Sequence, residues 1–134
     1  MAADEFDKVE LPAIEQLQSL GWTYVKGDDL SPDKSSERTS LKEVVLENRL
    51  SANIKRINPW ISDQNLHKVI KDLTKTQYTN LIEANQAIWT NINECVSVMQ
   101  DLGKGNKGQT VHIIDFKNPE NNEFLCTNQF KVSG

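Results

Sequence analysis

Asp115-Phe116-Lys117 sets a carboxylate and an amine two residues apart, which on a strand puts both on one face. An acid so placed can hold a divalent cation beside a charge-stabilising lysine. Pro32-Asp33 supplies a second acid of the kind such a site needs. The two do not combine, because Pro32-Asp33 falls in a polar loop separated from Asp115 by several predicted elements. Asp115 itself stands just before Asn118-Pro119, where an aspartate commonly bonds its own turn, so its expected role is structural. Gly103-Lys104-Gly105-Asn106-Lys107-Gly108 has the spacing of a phosphate-cradling loop. Gln109-Thr110 stands where Lys-Ser/Thr is required, however, and a strand follows where a helix is needed, so the segment reads as a hairpin loop with two lysines.

The soft ligands are scattered. His67 flanks an apolar helical stripe, and His112 sits on a predicted strand with no second ligand nearby in sequence. Cys95 and Cys126 lack C-x-x-C spacing and read as two reduced thiols. Zinc takes three or four ligands, so no metal is expected here. Two acids are left as weak supporting candidates for a site. Glu10 stands at the start of the first predicted helix, where the helix dipole would favour an acid in any case. Glu47 lies beside Leu50 and Ile54 at the edge of a buried stripe, where pairing with Arg49 or Arg38, or simple solvation, is the competing explanation.

The elements that must carry these residues follow from periodicity. Phe6, Val9, Ala13, Leu17 and Leu20 trace a helix, with Pro12 in its first turn and Gly21 as a left-handed stop. Trp22-Thr23-Tyr24-Val25 has strand composition, and residues 27–39 form a polar loop. Ser40 and Glu43 have the form of a capping box opening a helix through Leu46, Leu50, Ile54 and Ile57, which Asn58-Pro59 stops. Ser62 or Asp63 caps a third helix with Leu66, Val69, Ile70 and Leu73 inward. Asn80 caps a fourth with Leu81, Ala84, Ile88 and Ile92 inward. Beyond residue 94 the period becomes 2. Val96 and Val98, then Val111 to Phe116, then Phe124 to Val132 read as strands, with Asn118-Pro119-Glu120-Asn121-Asn122 as a turn. The expected fold is α+β, with helices packed on a small, mainly antiparallel sheet. The last strand runs almost to Gly134 with nothing to cover its edge, which points to a truncated domain.

At 134 residues the chain has room for one domain and one modest core. A formal net charge of −4 does not attract a phosphate backbone, so any DNA contact must come from a local basic patch or from elsewhere in a longer protein. No stretch reaches the roughly 20 apolar residues of a membrane span. The acidic start, MAADEFDKVE, is not a signal peptide. A soluble, cytoplasmic protein is expected.

Several segments, in order, are similar to the N-terminal region of the restriction (R, HsdR) subunit of type I restriction enzymes. They are Leu20-Gly21-Trp22 with Tyr24, Glu37-Arg38 ahead of Val44-Val45-Leu46-Glu47-Asn48-Arg49-Leu50, Ile57-Asn58-Pro59, and Glu83-Ala84-Asn85. Ile114-Asp115-Phe116-Lys117-Asn118-Pro119-Glu120-Asn121-Asn122-Glu123-Phe124 with Asn128-Gln129-Phe130 is the most specific part. The resemblance implies that residues 1–134 open a nuclease domain of the PD-(D/E)XK type and stop before its catalytic strands. A metal-binding Asp and a Glu-x-Lys would then lie further downstream, leaving no catalytic residue, metal ligand or cofactor site in this segment. In that family the position of Lys117 is often acidic, which weighs further against the D-x-K site. Such nucleases often place a glutamate on the first core helix, pointing toward the metal, and this makes Glu10 the first candidate. The resemblance also implies a full-length enzyme that uses Mg2+ and ATP. It translocates on and cuts double-stranded DNA in complex with methylation (M) and specificity (S) subunits. The segment alone should be inactive. The competing reading is a non-catalytic module for subunit interaction, which the acidic balance fits equally well. An unrelated small enzyme finds no nucleophile–base pair or ligand set in the sequence.

Overall fold

The computed structural model describes residues 5–74 and 80–133; Met1–Asp4 and Gly134 lie outside them. The chain divides into two compact units, Met1–Leu46 with Glu123–Gly134, and Glu47–Asn122.

In the first unit a π-helical turn, Phe6–Glu10, runs into helix α1, Leu11–Ser19. Pro12 occupies the first turn of α1, directly after the π-helical turn. Gly21 takes φ 98°. Its N–H donates to the Gln18 carbonyl and that of Trp22 donates to Leu17, the left-handed stop expected of it. Strand β1 is Thr23–Lys26, one residue later than the aromatic run suggests. Trp22 instead packs against Phe124, ring centroids 5.2 Å apart. A 3-10 turn, Gly27–Leu30, follows and leads into the expected loop.

The second unit holds helices α2 (Glu47–Ile57), α3 (Asp63–Leu73) and α4 (Leu81–Glu94), then the hairpin of strands β2 (Val96–Asp101) and β3 (Asn106–Val111). Its core is Ile54, Ile61, Val69, Ile70, Leu73, Val98 and Val111, with Leu50, Trp60, Leu66, Val96 and Ile113 against it. The stripe of α3 is therefore inward as its spacing predicts, and Ser62 caps it by accepting the Asn65 N–H at 3.2 Å. Asn80 caps α4 in the same way, accepting from Glu83 at 2.8 Å.

Four expectations need correction. The strands do not form one antiparallel meander. Strand β4, Leu125–Asn128, pairs in parallel with β1, from Thr23↔Leu125 to Lys26↔Asn128, and only β2 and β3 are antiparallel. A parallel pair needs a long crossover, and the whole stretch between β1 and β4 supplies it. The Ser40–Glu43 capping box opens no helix. Ser40 Oγ accepts the Lys42 N–H, and the Glu43 carboxylate takes Thr39, but α2 starts only at Glu47. Arg38 binds the carbonyls of Leu41 and Glu43, which a helix there would have used itself. Strand β3 begins inside the glycine-lysine loop and ends at Val111, so residues 112–116 are not a strand. Finally, α4 has no fully buried residue: Leu81 is 75% exposed, and Ala84, Ile88 and Ile92 are half-buried. Among the described residues no helix is long and apolar enough to cross a membrane.

Candidate functional site

Glu10 is the last residue of the π-helical turn, a rare conformation that recurs at functional sites. Its carboxylate accepts one amide on each oxygen. Asn128 Nδ2 donates to Oε2 at 3.1 Å, and Gln129 Nε2 donates to Oε1 at 2.5 Å. A carboxylate only accepts, so the Asn128 amide nitrogen must face Glu10, and the Tyr24 hydroxyl donates to the Oδ1 on its other side at 2.5 Å. Burial, then the negative charge of Glu10, pushes the Tyr24 phenol above its ordinary pKa. The cluster sits at the carboxyl end of the parallel β1–β4 pair, since Asn128 is the last residue of β4.

The backbone around it is tightly determined. A Cβ on buried Gly27 would fall far inside van der Waals contact of the carbonyl oxygens of Asn128 and Gln129, so only glycine allows that approach. Gln129 takes a left-handed φ of 50° and ends the strand. The next residue, Phe130, lies under the guanidinium of Arg38, 4.1 Å from ring centroid to Cζ. Arg38 is 1% exposed and donates to the Glu43, Leu41 and Lys131 carbonyls at 2.9, 3.1 and 2.9 Å. The loop before α2 is thereby tied to the segment that follows the cluster.

Glu47, the other candidate, is the exposed first residue of α2, in a groove it shares with Ser51, His67, Lys71 and Thr74. It belongs to a different unit from Glu10. The Arg38 contacts just described are to carbonyls and an aromatic ring.

Asp115 occupies a turn, where the strand reading of D-x-K fails and its expected structural role holds. Its Oδ1 accepts the N–H groups of Lys117 and Asn118 at 3.2 and 2.9 Å, and its Oδ2 accepts from Asn121 Nδ2 at 2.9 Å. Asn122 closes the turn, taking the Asp115 N–H at 2.8 Å and donating to the carbonyls of Asp115 and Pro119. The Asn121 amide first, then the Asn118 N–H, holds the Asp115 carboxyl below its ordinary pKa. Pro32-Asp33 lies in the loop beyond the 3-10 turn. In the hairpin Asp101 Oδ1 accepts the N–H groups of Gly103 and Gly105 at 2.7 and 3.1 Å, occupying the amide nest a phosphate would need. Cys95 Sγ and His112 Nδ1 lie 3.2 Å apart, a pairing that their spacing does not announce, but two ligands fall short of a zinc set. Among the described residues no three or more His, Cys, Asp or Glu side chains gather around one point.

The family model described as the type I restriction enzyme R protein N terminus matches residues 3–134. The chain belongs to that family. It is 34% identical over 124 residues to a protein of Methanocaldococcus jannaschii named as the MjaIXP endonuclease subunit of a type I restriction enzyme. It is 29% identical over 125 residues to the HindI endonuclease subunit of a type I restriction enzyme from Haemophilus influenzae. Each alignment covers 92% of this chain and 12% of the relative, so the chain spans about an eighth of their length. No solved structure matches it.

The cluster around Glu10 holds more residues than the sequence reading names as site candidates. Asn128, Gln129 and Phe130 figure in that reading only as marks of resemblance, and Arg38 as that and as an alternative partner for Glu47. Their roles depend on a parallel pairing between residues about a hundred positions apart, which periodicity does not reveal. Asn58 is a second case. Read as a helix stop and a mark of resemblance, it is 1% exposed, exchanges two hydrogen bonds with the His112 backbone, and donates to the Ile54 carbonyl.

Proposed function

We propose that this chain is the N-terminal part of the R subunit of a type I restriction–modification enzyme, a cytoplasmic endonuclease that translocates on double-stranded DNA with ATP and cuts it. In this reading residues 1–134 open a PD-(D/E)XK nuclease domain that works alongside M and S subunits. The family match over residues 3–134 carries the reading. Glu10 is the acid assigned to the nuclease, and its setting supports that role. It is fixed at the carboxyl ends of two parallel strands, the end where open α/β sheets gather ligands.

Mg2+ would supply Lewis-acid activation of water in such an enzyme. The described residues do not fit that ion by themselves: Mg2+ asks for near-octahedral oxygen coordination, and the cluster offers a single carboxylate. The remaining ligands belong to other parts of the longer subunit in this reading, as does the ATP site. What this chain contributes is an oriented carboxylate and a rigid backbone around it.

The 134-residue chain with Mg2+ and ATP should leave supercoiled plasmid intact. In the assembled enzyme, Glu10→Ala in the R subunit should abolish cutting while ATP-driven translocation continues. Nicking by the chain alone that vanishes on Asp115→Ala would move the site to the D-x-K triplet, and full cutting by the Glu10→Ala enzyme would remove Glu10 from it.

A second reading, a non-catalytic module for subunit interaction, is favoured by one observation. Helix α4 exposes Leu81, Ile82 and Trp89 at 75%, 78% and 68%, more apolar surface than a lone surface helix usually shows. Loss of complex assembly, rather than of cutting, on Trp89→Ala would favour it.

A further inference from the structure

We infer that Asn128 and Gln129 are positioning residues that aim Glu10, with Gly27 and Arg38 holding that pair in place. This rests on the reading of Glu10 as the acid that serves the nuclease, and it adds how the acid is held. A free glutamate side chain samples many rotamers, each of which an active site must suppress. Here each carboxylate oxygen meets its own amide N–H, at 3.1 and 2.5 Å, and the two donors come from adjacent residues. Turning the Asn128 carboxamide over would set its oxygen against the carboxylate. The Tyr24 hydroxyl, which can donate or accept, takes the donor role and completes the correct orientation by bonding Oδ1. The carboxylate is oriented without being saturated: it offers about four lone-pair directions, and the two amides use half of them.

The pair in turn has little freedom. Gly27 lets the β1 end pack directly on the Asn128–Gln129 backbone, Gln129 is in a left-handed conformation, and Arg38 grips Phe130 and the Lys131 carbonyl just beyond. A plain latch between the first helical turn and β4 would need one of these hydrogen bonds. One donor per oxygen, on a locked backbone, is the arrangement that second-layer residues make around a working carboxylate.

The test uses the complete R subunit carrying this N terminus, assembled with its M and S subunits. Asn128→Leu and Gln129→Leu are each expected to slow DNA cleavage about 10–100-fold, with translocation rate and thermal midpoint unchanged. Gln129→Lys, which keeps an N–H donor, should recover most of the rate. Asn128→Asp keeps the size and the acceptor for Tyr24 but sets a carboxylate against Glu10, and should fail as Asn128→Leu does. Leu variants that cut at the wild-type rate while Glu10→Ala is dead would overturn the positioning role and leave the role of Glu10 standing. Wild-type cutting by Glu10→Ala would overturn both. Cleavage, translocation and thermal midpoint falling together, with no rescue by Gln129→Lys, would reduce the cluster to a latch and overturn the inference.

Discussion

Gly27 and Asp115 each fix a stretch of backbone by a single chemical property. For Gly27 it is the missing side chain. Alanine there cannot fit without moving the Asn128–Gln129 backbone, so Gly27→Ala should cost about 2–3 kcal/mol, in the range of overpacking at a rigid site. Urea denaturation measures it, and a loss under about 0.5 kcal/mol, the scatter of ordinary surface changes, would show that the segment yields. For Asp115 the property is charge. Its native pKa is depressed by the Asn121 amide and the N–H of Asn118. Its contribution is therefore fully present above the unfolded carboxylate value, about pH 4, and is lost as pH falls through the lower native value. The Asn118 N–H and Asn121 side-chain resonances should hold their positions on acidification through about pH 4 and move only below it, whereas Asp115→Asn should leave no such step. At this scale the sequence was most legible where the partner is near in the chain. The turn role of Asp115 could be read because Asn118 to Asn122 follow at once, and the Glu10 donors could not, being 118 and 119 residues away.

Helices and strands obeyed the same division. Caps and stripes were readable for α3 because Ser62 and the Leu66–Leu73 stripe act within one helix and its immediate core. The capping box at Ser40 misled for the opposite reason: a residue outside the pattern, Arg38, claims the carbonyls that a helix needs, and does so while bound to the distant Lys131 carbonyl. Asn58 joins the end of α2 to the segment after β3. Asn58→Ala would strand the His112 N–H and carbonyl, which exchange bonds with its side chain at 3.0 and 2.8 Å. A buried group left unpaired costs about 1–3 kcal/mol; both of these bonds are only partly buried, so the variant should lose about 2 kcal/mol. Ser62→Ala, which removes one cap, should lose only about 1 kcal/mol. Thermal unfolding of both variants checks the order, and an Asn58→Ala chain no weaker than Ser62→Ala would mean that the α2 end is held mainly by Ile54 and Ile61.

For the molecule as a whole, charge is the property that the sequence states outright and the fold does not cancel. With 15 Lys and Arg against 19 Asp and Glu, the chain carries −4. A nuclease subunit that tracks duplex DNA needs a basic surface, because neutralised phosphates and released counterions supply most of non-specific affinity. In the cluster the groups around Glu10 are neutral amides and a phenol, which can orient a carboxylate but cannot draw in a polyanion. In the proposed reading, orienting the acid and gathering the DNA are thus separate tasks, and the cluster serves the first. The 134-residue chain should therefore bind a fluorescent duplex no more tightly than about 10⁻⁴ M at physiological ionic strength, the weak end of non-specific binding. Fluorescence anisotropy across a salt series is the measurement. Micromolar binding with a log–log salt slope of several units would mean that lysines such as Lys104 and Lys107 in the β2–β3 hairpin form a phosphate-tracking surface. In the proposed reading the chain would then deliver DNA to the nuclease as well as orient an acid for it.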